Sequence, residues 1–154
     1  MTFRNLQDEL VAEVGVILKD MVSKTADDNK AVGFHGYAHE LPILKSDEDD
    51  EEKVFPFYIV RIPEGTTQDD DDHWHVTADI ILVVHETEPG GHQHILTAIQ
   101  RIADRFAAEP TFGAFRADQD MKWQAGDEDT YPYYYGAVSI TFSVPKITRR
   151  VAYV

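Results

Sequence analysis

Residues 73–108 read HWHVTADIILVVHETEPGGHQHILTAIQRIADRFAA, and the fold turns on this stretch. Val76, Ala78, Ile80, Leu82 and Val84 recur at period two and define one apolar face of a strand. Ile81 and Val83 make the opposite face apolar near the strand's end, while Thr77 and Asp79 keep its first half polar. A strand that is apolar on both faces belongs in the middle of a sheet or under cover on both sides. After Pro89, Gly90 and Gly91, the residues Ile95, Ile99, Ile102 and Phe106 return at spacings of four, three and four. Arg101, Asp104 and Arg105 take the other side, which predicts an amphipathic helix lying on the sheet.

Working outward, Asn5 is a candidate helix N-cap. Leu6, Leu10, Val14, Ile17, Leu18 and Met21 trace one stripe of a helix predicted from about Leu6 to Lys24. Gly15 inside it costs about 1 kcal/mol relative to Ala, a cost tolerable where a neighbour packs closely. From Thr25 to Lys53 the regularity fades into two glycines, a proline and the charge run Asp47–Glu52, with a short strand expected around Leu41–Leu44. Phe55 to Ile62 alternate as a strand, with Pro56 at its start or on a sheet edge. The acidic loop PEGTTQDDDD joins that strand to the one quoted above as an antiparallel pair. Downstream, Met121–Gln124 suggests a short strand. Tyr134, Val138, Ile140, Phe142 and Val144 mark one face of a final strand ended by Pro145.

The expected architecture is therefore a single α+β domain over residues 1–154. It comprises a mainly antiparallel sheet of about four strands flanked by an N-terminal helix and a central helix. Acidic loops are expected near 45–53 and 64–72, and a basic C-terminal tail over 146–154, KITRRVAYV.

The formal charge of -14 and a pI near 4.7 would repel nucleic-acid phosphates, which argues against nucleic-acid binding. The chain has no cysteine, so disulfides, thiol catalysis and thiolate metal sites are excluded. No stretch reaches the roughly 18 consecutive apolar residues a membrane span needs. The N-terminal MTFRNLQDELVAEV is acidic and amphipathic, unlike a secretory signal, so an intracellular protein is expected.

Seven histidines invite a metal hypothesis. His73 and His75 share a strand face, His92 and His94 lie near a helix start, and His35 and His39 are four apart. A metal site needs three or four convergent ligands, and a pair at i and i+2 on a helix does not converge. Neither Asp69–Asp72 nor Gly126–Thr130 follows the alternating acids, central glycine and closing glutamate of a calcium loop. Nucleophile-elbow, phosphate-loop and dinucleotide motifs are missing. Asp79 is the one acid in an apolar strand and would mark a catalytic site only if buried with a perturbed pKa. The expectation is no catalytic residue, no cofactor and no metal. A metal-binding module or metal-dependent enzyme built on His73, His75, Asp79 and nearby histidines is the alternative from another class, and a monomeric adaptor using the tyrosines is a third. Tyr131, Tyr133, Tyr134 and Tyr135 lie so densely that they suggest a surface for self-association, since tyrosine joins a large apolar body to a polar tip.

The order of an N-terminal amphipathic helix, a strand, a long polar loop, TADIILVVHE, ILTAIQRIADRF and a final YYYGAVSITFSV resembles the tail-terminator or tail-completion (minor tail) proteins of long-tailed bacteriophages. The resemblance spans about Leu6 to Val144 and rests on element order, chain size and the strand–helix phrase. It implies a non-enzymatic virion protein, made in the host cytoplasm, that forms a ring, typically a hexamer, at the end of the tail tube. Such a ring stops tube growth and joins the tube to the head connector; other neck or head–tail joining proteins share this description. It further implies an acidic lumen, for which Asp47, Asp49, Asp50, Glu51, Asp69, Asp70, Asp71 and Asp72 are the candidates. Subunit contacts would fall to Tyr131, Tyr133, Tyr135, Arg149 and Arg150, with the tail pairing to a neighbour's acidic loop. The segment Thr25–Lys53 is long for the family, and the histidine content is high.

Overall fold

The computed structural model describes residues 2–24, 31–41, 56–126 and 128–147. Helix α1 (Phe3–Ile17) leads into a small antiparallel pair, β1 (Val22–Lys24) with β2 (Ala31–Gly33). The main sheet follows with β3 (His35–Ala38), β4 (Phe57–Thr66) and β5 (His73–His85). Helix α2 (Gly91–Ala108) then precedes β6 (Thr111–Phe112), β7 (Phe115–Ala125) and β8 (Tyr133–Pro145). Strand order is β3-β4-β5-β8-β7-β6. β5 is the strand of the quoted stretch, and β8 pairs with it from His73 opposite Pro145 to His85 opposite Tyr133.

This corrects the expected architecture. The sheet has six strands instead of about four, it is mixed because β3 runs parallel to β4, and it forms a half-barrel with two helices. The missed strands lack a sequence signal. β3 is four residues, HGYA, too short to show alternation, and its strand geometry comes from pairing His35–Ala38 against Phe57–Val60. β7 extends well beyond Met121–Gln124 because its polar half, Arg116 to Asp120, is held by β8 and by a register shift between Ala117 and Met121. Of the strand expected at Leu41–Leu44, Leu41 lies outside any strand and residues 42–44 lie outside the described residues. Phe55, the expected start of the next strand, is likewise outside them, and β4 runs on to Thr66.

The first helix also differs at both ends. Thr2 is its N-cap, and Asn5 sits three residues on in a reciprocal capping box: the Thr2 hydroxyl accepts from the Asn5 N–H at 3.1 Å, and Asn5 Oδ1 accepts from the Thr2 N–H at 3.0 Å. The helix stops at Ile17 because the chain tightens there, with Met21 N–H donating to the Leu18 carbonyl at 2.9 Å. Leu18 and Met21 are buried although they follow the helix, so the apolar stripe outlasts the helical backbone.

Both helices cover the same face of the sheet. Leu6, Leu10 and Val14 of α1 and Ile95, Ala98, Ile99, Ile102 and Phe106 of α2 meet the alternate residues Val76 to Val84 of β5 and Val138 to Val144 of β8. Each large aliphatic side chain fully buried there contributes roughly 1.5–3 kcal/mol. Tyr58 enters this core with its hydroxyl donating to the Val11 carbonyl at 2.5 Å, and burial pushes its pKa up to about 12. Gly15 and Gly36 make room for it: a Cβ on Gly36 would stand 2.3 Å from the ring, and one on Gly15 3.0 Å from the hydroxyl. The close neighbour that the mid-helix glycine called for is Tyr58.

Candidate functional site

The second face of the sheet belongs to the odd-numbered residues of β5, and register sorts it into rows. Phe57, Val83 and Tyr135 stand side by side, then Ile59, Ile81 and Ala137, then Arg61, Asp79, Ser139 and Lys122. The face therefore passes from aromatic and aliphatic to charged along the strands. Phe57, Ile59 and Val83 are buried in a small second cluster with Tyr37 and Ile81 packed against them, separate from the core under the helices. Asp79 lies on a central strand, where the Ser139 hydroxyl donates to its carboxylate. A hydroxyl donor is a sufficient partner for a half-buried acid. Beside the pair is a shallow depression of about 250 Å³ lined by Ile81, Lys122, Gln124 and Ala137 among others.

The tyrosines part company. Tyr131 is 58% exposed and its hydroxyl donates to the Thr87 carbonyl at 3.0 Å, while Tyr135 is 44% exposed. Tyr133 is half-buried, edge-on to His85 with ring centroids 5.1 Å apart. Tyr134 points to the other face, onto Gly91, and packs against the core. Trp123 on β7, 54% exposed, lies toward the same end of the β7–β8 ladder, where Gly126 N–H donates to the Tyr135 carbonyl, but it stands opposite Val138 on the helix face while Tyr135 takes the second face. Only the pairing with β8 decides which face each of these rings takes.

Of the acidic candidates, Asp69, Asp70 and Asp72 are exposed. Asp71 turns inward: its carboxylate accepts the His73 backbone N–H at 3.1 Å and lies 2.6 Å from His75 Nε2. The His73 N–H, and then the His75 ring, hold its carboxyl below the usual carboxylate range. The loop is also tied to its own chain's tail, since Lys146 N–H donates to the Asp72 carbonyl and Lys146 Nζ to that of Gln68, both at 3.1 Å. Asp47, Asp49, Asp50, Glu51, Arg149 and Arg150 lie outside the described residues.

The histidines scatter. His94 stacks on Phe34 with ring centroids 5.9 Å apart, and its buried Nε2 has no hydrogen-bond partner among the described residues. Burial is the main reason its pKa falls below the ordinary value, helped by Arg101 and opposed by Glu86. His73 is exposed while His75 meets Asp71. Among the described residues no three His, Cys, Asp or Glu side chains gather as a metal ion requires.

One further concavity, of about 440 Å³, opens between the start of α1 and the β4–β5 hairpin, with Phe3, Arg4, Gln7, Ile62, Glu64 and Trp74 in its wall. Phe3 meets Trp74 edge-on at 5.6 Å. No described helix is long and apolar enough to cross a membrane. No known family model matches the chain, and no curated protein sequence matches it, so the functional reading rests on the surface itself.

Proposed function

We propose that this chain is a non-enzymatic structural protein of the tail-terminator or tail-completion type. In this reading it assembles into a ring, most simply a hexamer, at the end of a phage tail tube and joins the tube to the head connector. The observation that carries the reading is that Trp123, Tyr131 and Tyr135, each about half exposed, stand toward one end of the β7–β8 ladder, with Trp123 and Tyr135 on opposite faces of the sheet. Exposed amphipathic aromatic rings toward one end of a sheet favour a protein partner. The exposed Asp69, Asp70 and Asp72 supply like charge toward DNA sliding past, which keeps a lumen from adhering to phosphates. Asp71 has no such part, because its carboxylate is held within the loop.

Negative-stain microscopy of the concentrated protein, alone and mixed with tail-tube protein from its own genome, tests the proposal. Rings, or tubes capped and fixed in length, are the expected result. Unlimited tubes and no rings from a well-folded protein would overturn it.

A further inference from the structure

β7 has an open side. β6 covers only its first residues, with Thr111 opposite Arg116 and Phe112 opposite Phe115. From Asp118 to Ala125 no strand among the described residues lies on that side. Gly126 N–H donates inward to Tyr135, so by the alternation of an antiparallel ladder the N–H and C=O of Met121, Trp123 and Ala125 point outward. A row of backbone groups unpaired among the described residues, beside an exposed tryptophan, is a template for an added strand.

We propose that this edge accepts residues 148–154 of a second copy of the chain. The segment TRRVAYV is built for a strand: Thr, Val and Tyr are strand formers, and Arg149, Val151 and Tyr153 fall on one face at period two. Seven extended residues span about 23 Å, enough to line the roughly 17 Å of Met121–Ala125. Laid parallel to β7, Val151 then meets Met121 and Tyr153 meets Trp123 as cross-strand neighbours. Arg149 and Arg150 match the acids of the β7 bulge, Asp118 and Asp120.

The path of the chain selects a second copy over the segment's own sheet. Pro145 ends β8, and Lys146 is drawn toward Asp72 and Gln68, on the β5 side and away from β7. Ile147 follows at 91% exposure. A tail given to one neighbour and an edge offered to the other is a heterologous contact, which closes into a ring when the rotation permits. The inference rests on the self-assembly in the functional reading and adds how neighbours are joined.

The test uses full-length chains. A protein carrying Val151→Asp and Tyr153→Asp keeps its edge and disables its tail, and it serves as acceptor for a fluorescein-labelled KITRRVAYV peptide followed by anisotropy. Adding Trp123→Pro removes an outward donor at an edge position that tolerates proline, with folding checked by circular dichroism. Saturable binding, weakened about tenfold or more by Trp123→Pro, is expected. Absence of binding to the folded acceptor, or equal binding after Trp123→Pro, overturns the inference. Binding to the acceptor while the wild-type protein stays monomeric at every concentration in sedimentation would make the occupant the chain's own tail, and also overturns it. Rings on tube ends without peptide binding would sink this inference alone; peptide binding and concentration-dependent association without rings or capped tubes would sink only the terminator reading.

Discussion

His94 occupies the first turns of α2, where the helix dipole already disfavours a cation, and its ring lies flat against Phe34 with a buried nitrogen that meets no partner among the described residues. Its pKa in the folded protein is held below the 6.5 of the unfolded chain, chiefly by burial. Below that value the unfolded chain binds more protons than the folded one, so stability falls as the pH drops from 6.5 toward the folded pKa. Above 6.5 both states are neutral and the full stability is present. His94→Leu is expected to remove this acid sensitivity and, at pH 8, to raise stability by on the order of 1 kcal/mol by removing an unpaired buried nitrogen. Urea unfolding of both proteins at pH 8 and pH 5.5 checks this, and identical pH slopes would refute it. The histidine was visible in the sequence as one of a pair with His92. That it turns inward follows from its place beside Ile95 and Ala98 at the margin of the helix's apolar stripe, and its contact with Phe34 required the folded chain.

At the scale of elements, α2 lies close on β8 because β8 has glycine at the contact. A Cβ on Gly136 would stand 2.6 Å from Ile95 Cγ2 and 2.9 Å from Ile99 Cδ1. Gly136→Ala is expected to cost about 1–3 kcal/mol by overpacking, lowering Tm by several degrees. Gly126→Ala is the control, since its Cβ would be no nearer than 3.6 Å to any neighbour, and should stay within about 0.5 kcal/mol. Equal loss in the two variants, measured by thermal unfolding, would show that the α2–β8 contact yields to the added methyl. The strands that could be read in advance, β5 and β8, alternate over long runs because one face is core. β3 and the first half of β7 could not be read, since their backbone geometry is imposed by neighbouring strands and their side chains carry no period.

For the molecule as a whole, the charge of -14 dominates behaviour at a distance. Duplex DNA is expected to show no anisotropy change with this protein even at low salt, where phosphate binding is strongest. Salt-sensitive binding would instead reveal a basic surface gathered by assembly. Composition sufficed for this expectation, because long-range electrostatics depends on summed charge more than on fold. The sequence by itself determined the strand–helix phrase of residues 73–108, the apolar faces that make the core, and the acidity of the surface, since each is a local period or a sum over residues. Tertiary structure alone decided that the sheet has six strands with β3 parallel, that Tyr134 leaves its neighbours for the core, that Asp71 serves its own loop, and that Trp123 stands beside an open edge. Those outcomes depend on which strands become neighbours, a choice made by long-range burial and hydrogen bonding that no local pattern records.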